Sequence, residues 1–367
     1  MISVGNLNII RKRKLQIWSF SFLGLFTVLS IPSCSEVKNN EYPQLRYEIH
    51  GEAQGTTYNI VYFTDQSVIQ KIQVDSILDE IDLAVSIWVP NSVISDVNNA
   101  DVRKFTIAPP SNTYFQDNFL LSKEVYENTN GAFNPTIGAL ANAWGFGFKN
   151  RENMDSILVD SLLQTVGFSA KALRMTVSDS GLTLWKEKPN TNLDYNGIAQ
   201  GYSVDVLADY FRNKGVNHFM IEVGGELIAN GRKSDGSFWI IGIDKPVDKN
   251  RERVLAASLK LDNMSVATSG NYRKFYEKDG VRYAHTLDPK TGFPVQHSLL
   301  SATVIMPNCA LADAYATAFM VMGIEASKNL IKSNPQWGIE AYFIYYDSES
   351  QYQTFMTPGI QEFVVEL

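Results

Sequence analysis

Asp313 and Thr317 stand four residues apart, so a helix over this segment places a carboxylate and a hydroxyl on one face. Hard oxygen donors of this kind suit Mg²⁺, which takes few protein ligands and completes its shell from water and substrate phosphates. An Asp–Thr pair on a helix is more often only part of a solvated face. Here the flanking residues are apolar, and a carboxylate on a buried helix needs a partner or a metal. The pattern therefore favours a metal site.

A second segment, residues 285–292, has the sequence His-Thr-Leu-Asp-Pro-Lys-Thr-Gly. Its proline and glycine indicate a turn, and taken alone they indicate nothing more. A histidine exchanges protons near neutral pH, so His285 is the candidate general base. Asp288 is the competitor, unless its carboxylate only caps the turn.

Two glycine-containing stretches could hold a ligand. Residues 131–147 combine glycines with aromatic rings, which suits either a packed loop or a stacked aromatic ligand. Residues 193–202 open a helix whose backbone N–H groups could bind phosphate. A glycine-containing segment of this kind is more often a simple turn between a strand and a helix. The sequence has no GxGxxG, GxxxxGK[ST], GxSxG or HExxH motif, which excludes the commonest nucleotide, hydrolase and zinc-protease signatures.

The hydrophobic periodicity predicts an α+β fold with a largely antiparallel sheet and flanking helices. Most strands are spaced as hairpins. Strands are predicted over 46–63 with a break at Gly55, and over 173–186, 219–223, 239–243, 254–261, 301–306 and 341–346. Helices are predicted over 74–85, 115–130 and 160–166, and a further helix is opened by residues 193–202 and stops at Gly215.

Residues 1–33 have the pattern of a lipoprotein signal peptide. Basic residues precede an apolar run, Ile17–Ile31, that is short for a bilayer span, and Ile-Pro-Ser-Cys follows. We expect cleavage before Cys34, lipidation of that cysteine, a tether over 34–45 and a globular domain over 46–367. An uncleaved signal anchor is the alternative. Once Cys34 is lipidated, Cys309 is the only thiol left, which excludes an internal disulfide and a cysteine-based zinc site.

The charge balance bears on the partners. The chain has a formal net charge of −7, and removal of residues 1–33, which hold four basic and no acidic residues, makes it −11. A domain with this negative charge would repel the phosphates of a nucleic acid, which argues against a nucleic-acid partner.

Eight motifs then occur in order along the chain: GTTY at Gly55, GAFNPTIG at Gly131, NAWGFG at Asn142, LDYNGIAQGYSVD at Leu193, EVGGE at Glu222, ATSGNY at Ala267, HTLDPKTG at His285 and ADAYAT at Ala312. As a set they resemble the ApbE family of FAD:protein FMN transferases. The resemblance implies an α+β flavin transferase domain over 46–367 that binds FAD and Mg²⁺. It further implies cleavage of the pyrophosphate and transfer of the FMN half to a Thr or Ser hydroxyl of an acceptor protein. The product bond is a phosphoester, and AMP leaves.

The resemblance also implies roles for individual residues. Metal ligands fall at Asp313, Thr317 and, through its backbone carbonyl, Gly197, where the lack of a side chain admits an ion. Asp313 and His285 are the expected catalytic residues. Contacts to the flavin and adenine parts of FAD fall at Gln54, Trp88, Ala132, Phe133, Asn134, Asp194, Gln200 and Thr286.

Three of these positions depart from the commoner family pattern. Gln54 stands where Met is usual, Asn134 where Asp is usual, and Gln200 where Lys is usual. If Asn134 and Gln200 face each other, a neutral amide pair replaces an ion pair. Gln offers a dipole where Lys offers a full charge, so the change bears on how the phosphate or ribose side of FAD is held.

Two other functions use the same residues. Attack by water would make the protein an FAD pyrophosphatase that releases FMN and AMP, and loss of catalysis would leave a flavin-binding lipoprotein. The resemblance implies export, so we expect the domain on the periplasmic side of a bacterial membrane, anchored through Cys34. The expected acceptor is a flavin-carrying subunit of a membrane redox complex.

Overall fold

The computed structural model describes residues 42–66, 69–108, 113–147, 152, 154–169, 171–178, 181–246, 254–271, 286–349 and 351–365, together with the backbone of 275–278 and 281–284. The predicted signal peptide, Cys34 and His285 lie outside the described residues. Within the described part of the chain, no helix is long and apolar enough to span a membrane.

Sixteen strands and eight helices are assigned along the described chain. The strands are β1 (Arg46–Ala53), β2 (Thr56–Phe63), β3 (Lys104–Ile107), β4 (Leu173–Ser178), β5 (Gly181–Lys186), β6 (His218–Val223), β7 (Glu226–Asn230), β8 (Trp239–Asp244), β9 (Leu255–Leu261), β10 (Met264–Gly270), β11 (Phe275–Lys278), β12 (Val281–Ala284), β13 (Leu299–Met306), β14 (Glu340–Tyr346), β15 (Tyr352–Met356) and β16 (Val364–Val365). The helices are α1 (Lys71–Val85), α2 (Val93–Asn99), α3 (Thr113–Asn128), α4 (Gly138–Ala143), α5 (Ser156–Leu163), α6 (Ala199–Asn213), α7 (Cys309–Met322) and α8 (Ile324–Ser333). Two short 3₁₀ helices cover Pro335–Trp337 and Pro358–Glu362.

The main sheet has eight strands in the order β1–β2–β6–β7–β10–β13–β14–β15, and each neighbouring pair is antiparallel. Two three-stranded sheets, β16–β9–β8 and β3–β5–β4, and the β11–β12 hairpin lie outside it. The predicted α+β fold with a largely antiparallel sheet is therefore confirmed.

Alternating side chains give the main sheet two apolar faces. On β13, Ala302 and Val304 join a core with residues of α3 and α7, whereas Ile305 joins the opposite core. That second core includes Trp239 of β8 and Leu259 of β9. The sheet is thus covered by helices on one face and by the β16–β9–β8 sheet on the other, which leaves its strand ends and edges to form a ligand site.

Helices α6 and α7 approach each other at Gly201. A Cβ atom at this position would lie 2.4 Å from the carbonyl oxygen of Cys309 and 2.9 Å from Cβ of Asp313. Ten of the fourteen residues of α7 are buried, and most of them are small. Glycine on α6 and small residues on α7 therefore let the two backbones come into contact.

Asp205 of α6 fixes the start of α7. Its two carboxylate oxygens accept hydrogen bonds from the backbone N–H groups of Cys309 and Ala310, each at 2.9 Å. Asn308 is the N-cap, and its side chain accepts a 2.8 Å bond from the Leu311 N–H. A carboxylate at a helix N-terminus also interacts favourably with the helix dipole. Burial nevertheless raises the pKa of Asp205 to about 6, although the two N–H bonds lower it.

Most predicted elements are confirmed, with shifted ends. The helix predicted over 74–85 begins at Lys71, and the one predicted over 160–166 is α5, Ser156–Leu163. The structure adds α2, α4, α8, β3, β7, β10, β11, β12, β15 and β16, for which no prediction was made. Strand β10 shows why: its sequence, MSVATSG, lacks a clear apolar alternation, and pairing with β7 and β13 holds it in place.

We expect Gly201→Ala to destabilise the protein by roughly 1–3 kcal/mol or more, because the added methyl group meets backbone atoms that cannot rotate away. Gly167→Ala is the matched control, since a Cβ at Gly167 finds its nearest neighbour, Ala172 Cβ, at an ordinary 3.5 Å. Urea unfolding of both variants measures the effect. Equal midpoints for the two variants would contradict the close approach of α6 and α7.

Candidate active site

A cavity of about 510 Å³ opens where strand ends, helix α7 and the start of α6 meet. Residues from seven segments line it. They are Ala132–Pro135, Ile137, Ala141 and Phe146 beside α4; Asp194, Asn196, Gly197 and Gln200 before and on α6; Gly224–Glu226 at the β6–β7 turn; Gly242–Asp244 on β8; Thr268–Gly270 on β10; Thr286, Leu287 and Pro289; and Asp313, Thr317, Met320 and Val321 on α7.

The predicted metal ligands come together in this cavity. Asp313 is only 5 % exposed and accepts a 3.3 Å hydrogen bond from the Gly201 N–H. Burial raises the pKa of its carboxyl group to about 7, while the Gly201 bond lowers it. Thr317 lies one turn further along α7, with its hydroxyl 3.3 Å from that of Ser269. A Cβ at Gly197 would lie 3.1 Å from the Thr317 hydroxyl oxygen, so the loop before α6 runs directly against α7.

This donor set fits Mg²⁺. It offers one buried carboxylate, one hydroxyl and the backbone of a glycine, which has no side chain of its own. No cluster of three or more His, Cys, Asp or Glu side chains suited to a metal occurs among the described residues. The arrangement therefore suits an ion that takes its remaining ligands from water and phosphate, and it does not suit a closed zinc site.

The segment before α4 supplies an aromatic wall. Phe133 is buried, and its backbone N–H donates to the Thr129 hydroxyl at 3.1 Å. Asn134 Oδ1 accepts bonds from the Thr136 N–H at 3.0 Å and from the Thr136 hydroxyl at 2.7 Å. The side-chain oxygen of Asn134 thus stabilises its own turn, and this is the contact that the structure gives it in place of the hypothesised pair with Gln200.

The segment before α6 supplies polar groups. Asp194 Oδ1 accepts the Asn196 N–H at 2.8 Å, and the Asp194 N–H donates to the Pro135 carbonyl at 2.7 Å. Desolvation raises the pKa of Asp194, against the lowering effect of Asn196. Gln200 packs under the β6–β7 turn, where its amide nitrogen lies 2.7 Å from the position of a Cβ at Gly224. Gly224 has a φ of +68°, which favours glycine there as well.

The loop after β12 is held from outside the cavity. Thr286 lines the cavity and donates its hydroxyl to Asn271 Oδ1 at 2.7 Å. The indole N–H of Trp144 donates to the Gly292 carbonyl at 2.8 Å, and its ring lies 5.9 Å from that of Phe293. Trp144, in the NAWGFG motif, therefore holds this loop at Gly292 and Phe293. The predicted general base, His285, lies outside the described residues.

Two predicted FAD contacts do not line the cavity. Gln54 sits at the β1–β2 turn with a φ of +55°, and its amide donates to the Ser203 hydroxyl on α6 at 2.7 Å. Trp88 is 58 % exposed on the loop after α1. Their binding roles stay predictions, whereas Ala132, Phe133, Asn134, Asp194, Gln200 and Thr286 all border the same space.

The structure adds two carboxylates that the sequence analysis did not single out. Glu226 follows the two glycines of the β6–β7 turn and is 8 % exposed, and Asp244 ends β8. With Asp194 and Asp313 they make four carboxylates around the cavity, and the lining residues described include no Lys, Arg or His. The EVGGE motif could have pointed to Glu226, but nothing in the sequence places β8 beside this site.

Comparisons with known proteins agree with this geometry. The chain is 33% identical over 300 residues to the FAD:protein FMN transferase of Vibrio cholerae, covering 80% of this chain and 86% of the relative. It is 31% identical over 306 residues to the protein of the same name from Escherichia coli K12, covering 81% of each.

Solved structures show the same fold. The flavin transferase ApbE from Vibrio cholerae aligns with a TM-score of 0.76 at 29% identity, over 88% of this chain and 100% of that one. The apo form of the Pseudomonas stutzeri flavinyl transferase ApbE aligns with a TM-score of 0.74 at 29% identity, over 88% and 98%. The profile of the ApbE family matches residues 54–343. The chain therefore belongs to the ApbE family.

Proposed function

We propose that this protein is an Mg²⁺-dependent FAD:protein FMN transferase that attaches FMN to a Thr or Ser hydroxyl of an acceptor protein. The observation that carries the proposal is the meeting of Asp313, Thr317 and the Gly197 backbone in one cavity of a chain that belongs to the ApbE family. The name that the relatives from Vibrio cholerae and Escherichia coli share supports the same activity here.

In the proposed reaction, the oxygen of the acceptor hydroxyl forms a bond to the phosphorus of the FMN half. The bond from that phosphorus to the bridging oxygen of the pyrophosphate breaks, AMP leaves with the bridging oxygen, and the hydroxyl proton passes to a base. His285 remains the candidate for that base. When bound, Mg²⁺ would neutralise charge on the pyrophosphate oxygens.

The chain's own residues position the reactants. Asp313, Thr317 and the Gly197 carbonyl would hold the metal, and Gln200, at the start of α6, borders the space that the phosphates would occupy. Phe133 lines the same cavity and would pack its ring against a flat group. Such positioning would hold the attacking oxygen, phosphorus and leaving oxygen in line, which is most of what phosphoryl-type transfer requires of a protein.

Water could take the place of the acceptor hydroxyl in the same cavity. The products would then be FMN and AMP, and the protein would be an FAD pyrophosphatase. The two activities differ in whether FMN ends on protein or in solution, so both products have to be followed in one assay.

We further propose that the domain is anchored on the periplasmic side of the membrane through a lipid on Cys34. The acceptor is then a flavin-carrying subunit of a membrane redox complex. The support is the pattern of basic residues, apolar run and cysteine at the start of the chain.

Asp313→Asn and Thr317→Val should each lower FMN transfer at least about a hundredfold, because each removes a metal ligand and several kcal/mol of charge stabilisation. Thr317→Ser, which keeps the hydroxyl, should retain most of the activity. The assay follows flavin fluorescence of the acceptor on a denaturing gel and free FMN by chromatography. Full transfer by Asp313→Asn would rule out the proposed metal site.

Thermal unfolding distinguishes a loss of FMN transfer caused by the missing metal ligand from a loss caused by misfolding. Burial raises the pKa of Asp313 above that of the unfolded chain, so its ionised form costs stability at pH above that raised value. In metal-free buffer at pH 8, Asp313→Asn should therefore melt no lower than the wild type.

Gln200→Lys should lower the dissociation constant for FAD by about tenfold at low salt. The lysine places a positive charge in a carboxylate-lined cavity, where it would attract the negatively charged pyrophosphate of FAD. Gln200→Met, of similar length and without charge, is the control. Fluorescence titration with FAD measures the dissociation constants. No difference between the two variants would mean that position 200 does not face the phosphates.

Cys34→Ala should shift the protein from the membrane fraction to the soluble periplasmic fraction, because the lipid can no longer be attached. Immunoblots of cell fractions measure the distribution. An unchanged membrane fraction would favour the uncleaved signal anchor.

A further inference from the structure

The β16–β9–β8 sheet has an open edge next to the candidate active site. Among the described strands, β8 pairs only with β9, so its other side carries backbone groups with no strand partner. Three consecutive residues of this strand, Gly242, Ile243 and Asp244, also line the cavity. The edge therefore leads directly into the site where the transfer is proposed to occur.

The register shows which groups point outward. The Lys260 N–H donates to the Phe363 carbonyl on the β16 side, so the neighbouring residues Leu259 and Leu261 direct their backbone groups to β8. Their partners on β8 are Ile241 and Trp239. The alternate residues, Ile240 and Gly242, consequently present their N–H and C=O groups to the open edge.

Exposed edges are usually blunted by charged side chains or proline, because an open row of backbone groups invites another strand. Strand β1, at one edge of the main sheet, carries Arg46, Glu48 and Glu52. Strand β8 reads WIIGID, with no charge before its last residue, and Ile240 is 50 % exposed. The charged residues Asp244 and Lys245 and the proline Pro246 come only at the end of β8 and after it. An edge that is apolar over Trp239–Ile243 and borders the candidate site is better suited to binding a strand than to avoiding one.

We propose that the acceptor protein docks by adding an extended segment to the β8 edge, which brings its Thr or Ser hydroxyl into the cavity. This inference rests on the proposed transferase function. The added strand would form backbone hydrogen bonds to Ile240 and Gly242, and one of its side chains would follow the line of β8 past Gly242 into the cavity. Binding of this kind takes most of its affinity from main-chain bonds, while pockets for alternate side chains give specificity.

The geometry favours the β8 edge over the other exposed edge of similar character. Strand β15, with the sequence YQTFM, is also uncharged and mostly exposed, but none of its residues lines the cavity. A segment bound at β8 reaches the reacting phosphate, whereas one bound at β15 does not share a boundary with the cavity.

The first test is hydrogen exchange measured on the full chain. The probe is a synthetic peptide of about eight residues with a central Thr, copied from an acceptor that the wild-type protein labels. With saturating peptide, the amides of Ile240 and Gly242 should exchange at least about tenfold more slowly, because they gain hydrogen-bond partners. Protection confined to β15, or no protection of β8, would overturn the proposal.

The second test changes the peptide and leaves the protein intact. Each backbone nitrogen of the peptide is methylated in turn, which removes one donor at a time. Strand addition predicts that kcat/KM for the peptide falls about tenfold at alternate positions and little at those between them. A flat profile, or one without a period of two, would exclude pairing with β8.

The third test compares two substitutions at one exposed position. Ile240→Pro removes an outward N–H and leaves the bonds to β9, as proline is tolerated at sheet edges, while Ile240→Thr keeps the N–H and alters only the side chain. The proline variant should raise KM for the peptide about tenfold more than the threonine variant does, with FAD affinity unchanged in both. Equal KM values in a folded pair of variants would contradict the docking mode.

Different results would contradict the transferase function and the docking of the acceptor at β8. If the wild-type protein labels no acceptor and releases only FMN, the transferase function itself is wrong. If the wild type labels the peptide but exchange at β8, the methylation profile and the Ile240 variants are all unaffected, the function stands and only the docking site is wrong.

Discussion

The contact between α6 and α7 at Gly201 is the constraint on which the site depends. Because no side chain separates the two helices there, the Gly201 N–H reaches the Asp313 carboxylate and Gly197 comes against Thr317. Asp205, one turn beyond Gly201, binds the first two N–H groups of α7 and so sets the position of that helix along its axis. The proposed metal donors Asp313 and Thr317 are therefore placed by the packing of two helices, and Gly197 lies in the loop that runs against α7.

The electrostatics of the cavity follow from this packing. Asp313 is held in a buried setting where ionisation is costly, and three further carboxylates border the same space. A pyrophosphate entering this cavity would meet like charge, so a divalent cation would be needed to bring substrate and protein together. Gln200 offers a dipole where a lysine would have offered a positive charge. More of the attraction for the pyrophosphate would therefore have to come from the metal.

The layered fold separates two approaches to the cavity. The helical layer contributes Asp313, Thr317 and the start of α6, whereas the β16–β9–β8 sheet on the opposite face contributes only the end of β8. A nucleotide held against the helices would leave the β8 side for a second reactant. An enzyme that joins a small molecule to a protein needs separate access to its site for each of the two reactants. If water instead of the acceptor occupied the β8 side, hydrolysis would be favoured.

The class of fold and the chemical character of α7 can be predicted from the order of the residues alone. Strong periodicities, such as those of α1 and α6, and the turn residues of the hairpins depend on neighbours close in the chain, so they could be predicted. Asp313 and Thr317 were predicted together because the helical repeat alone puts them on one face. Features that depend on residues distant in the chain are visible only once the chain is folded. They are strand β10, held by its neighbours despite a weak pattern, the placement of Glu226 and Asp244 at the cavity, and the packing of Gln200 under Gly224. The same reason applies to the edge of β8, whose open side follows from its position in a sheet and not from its own residues.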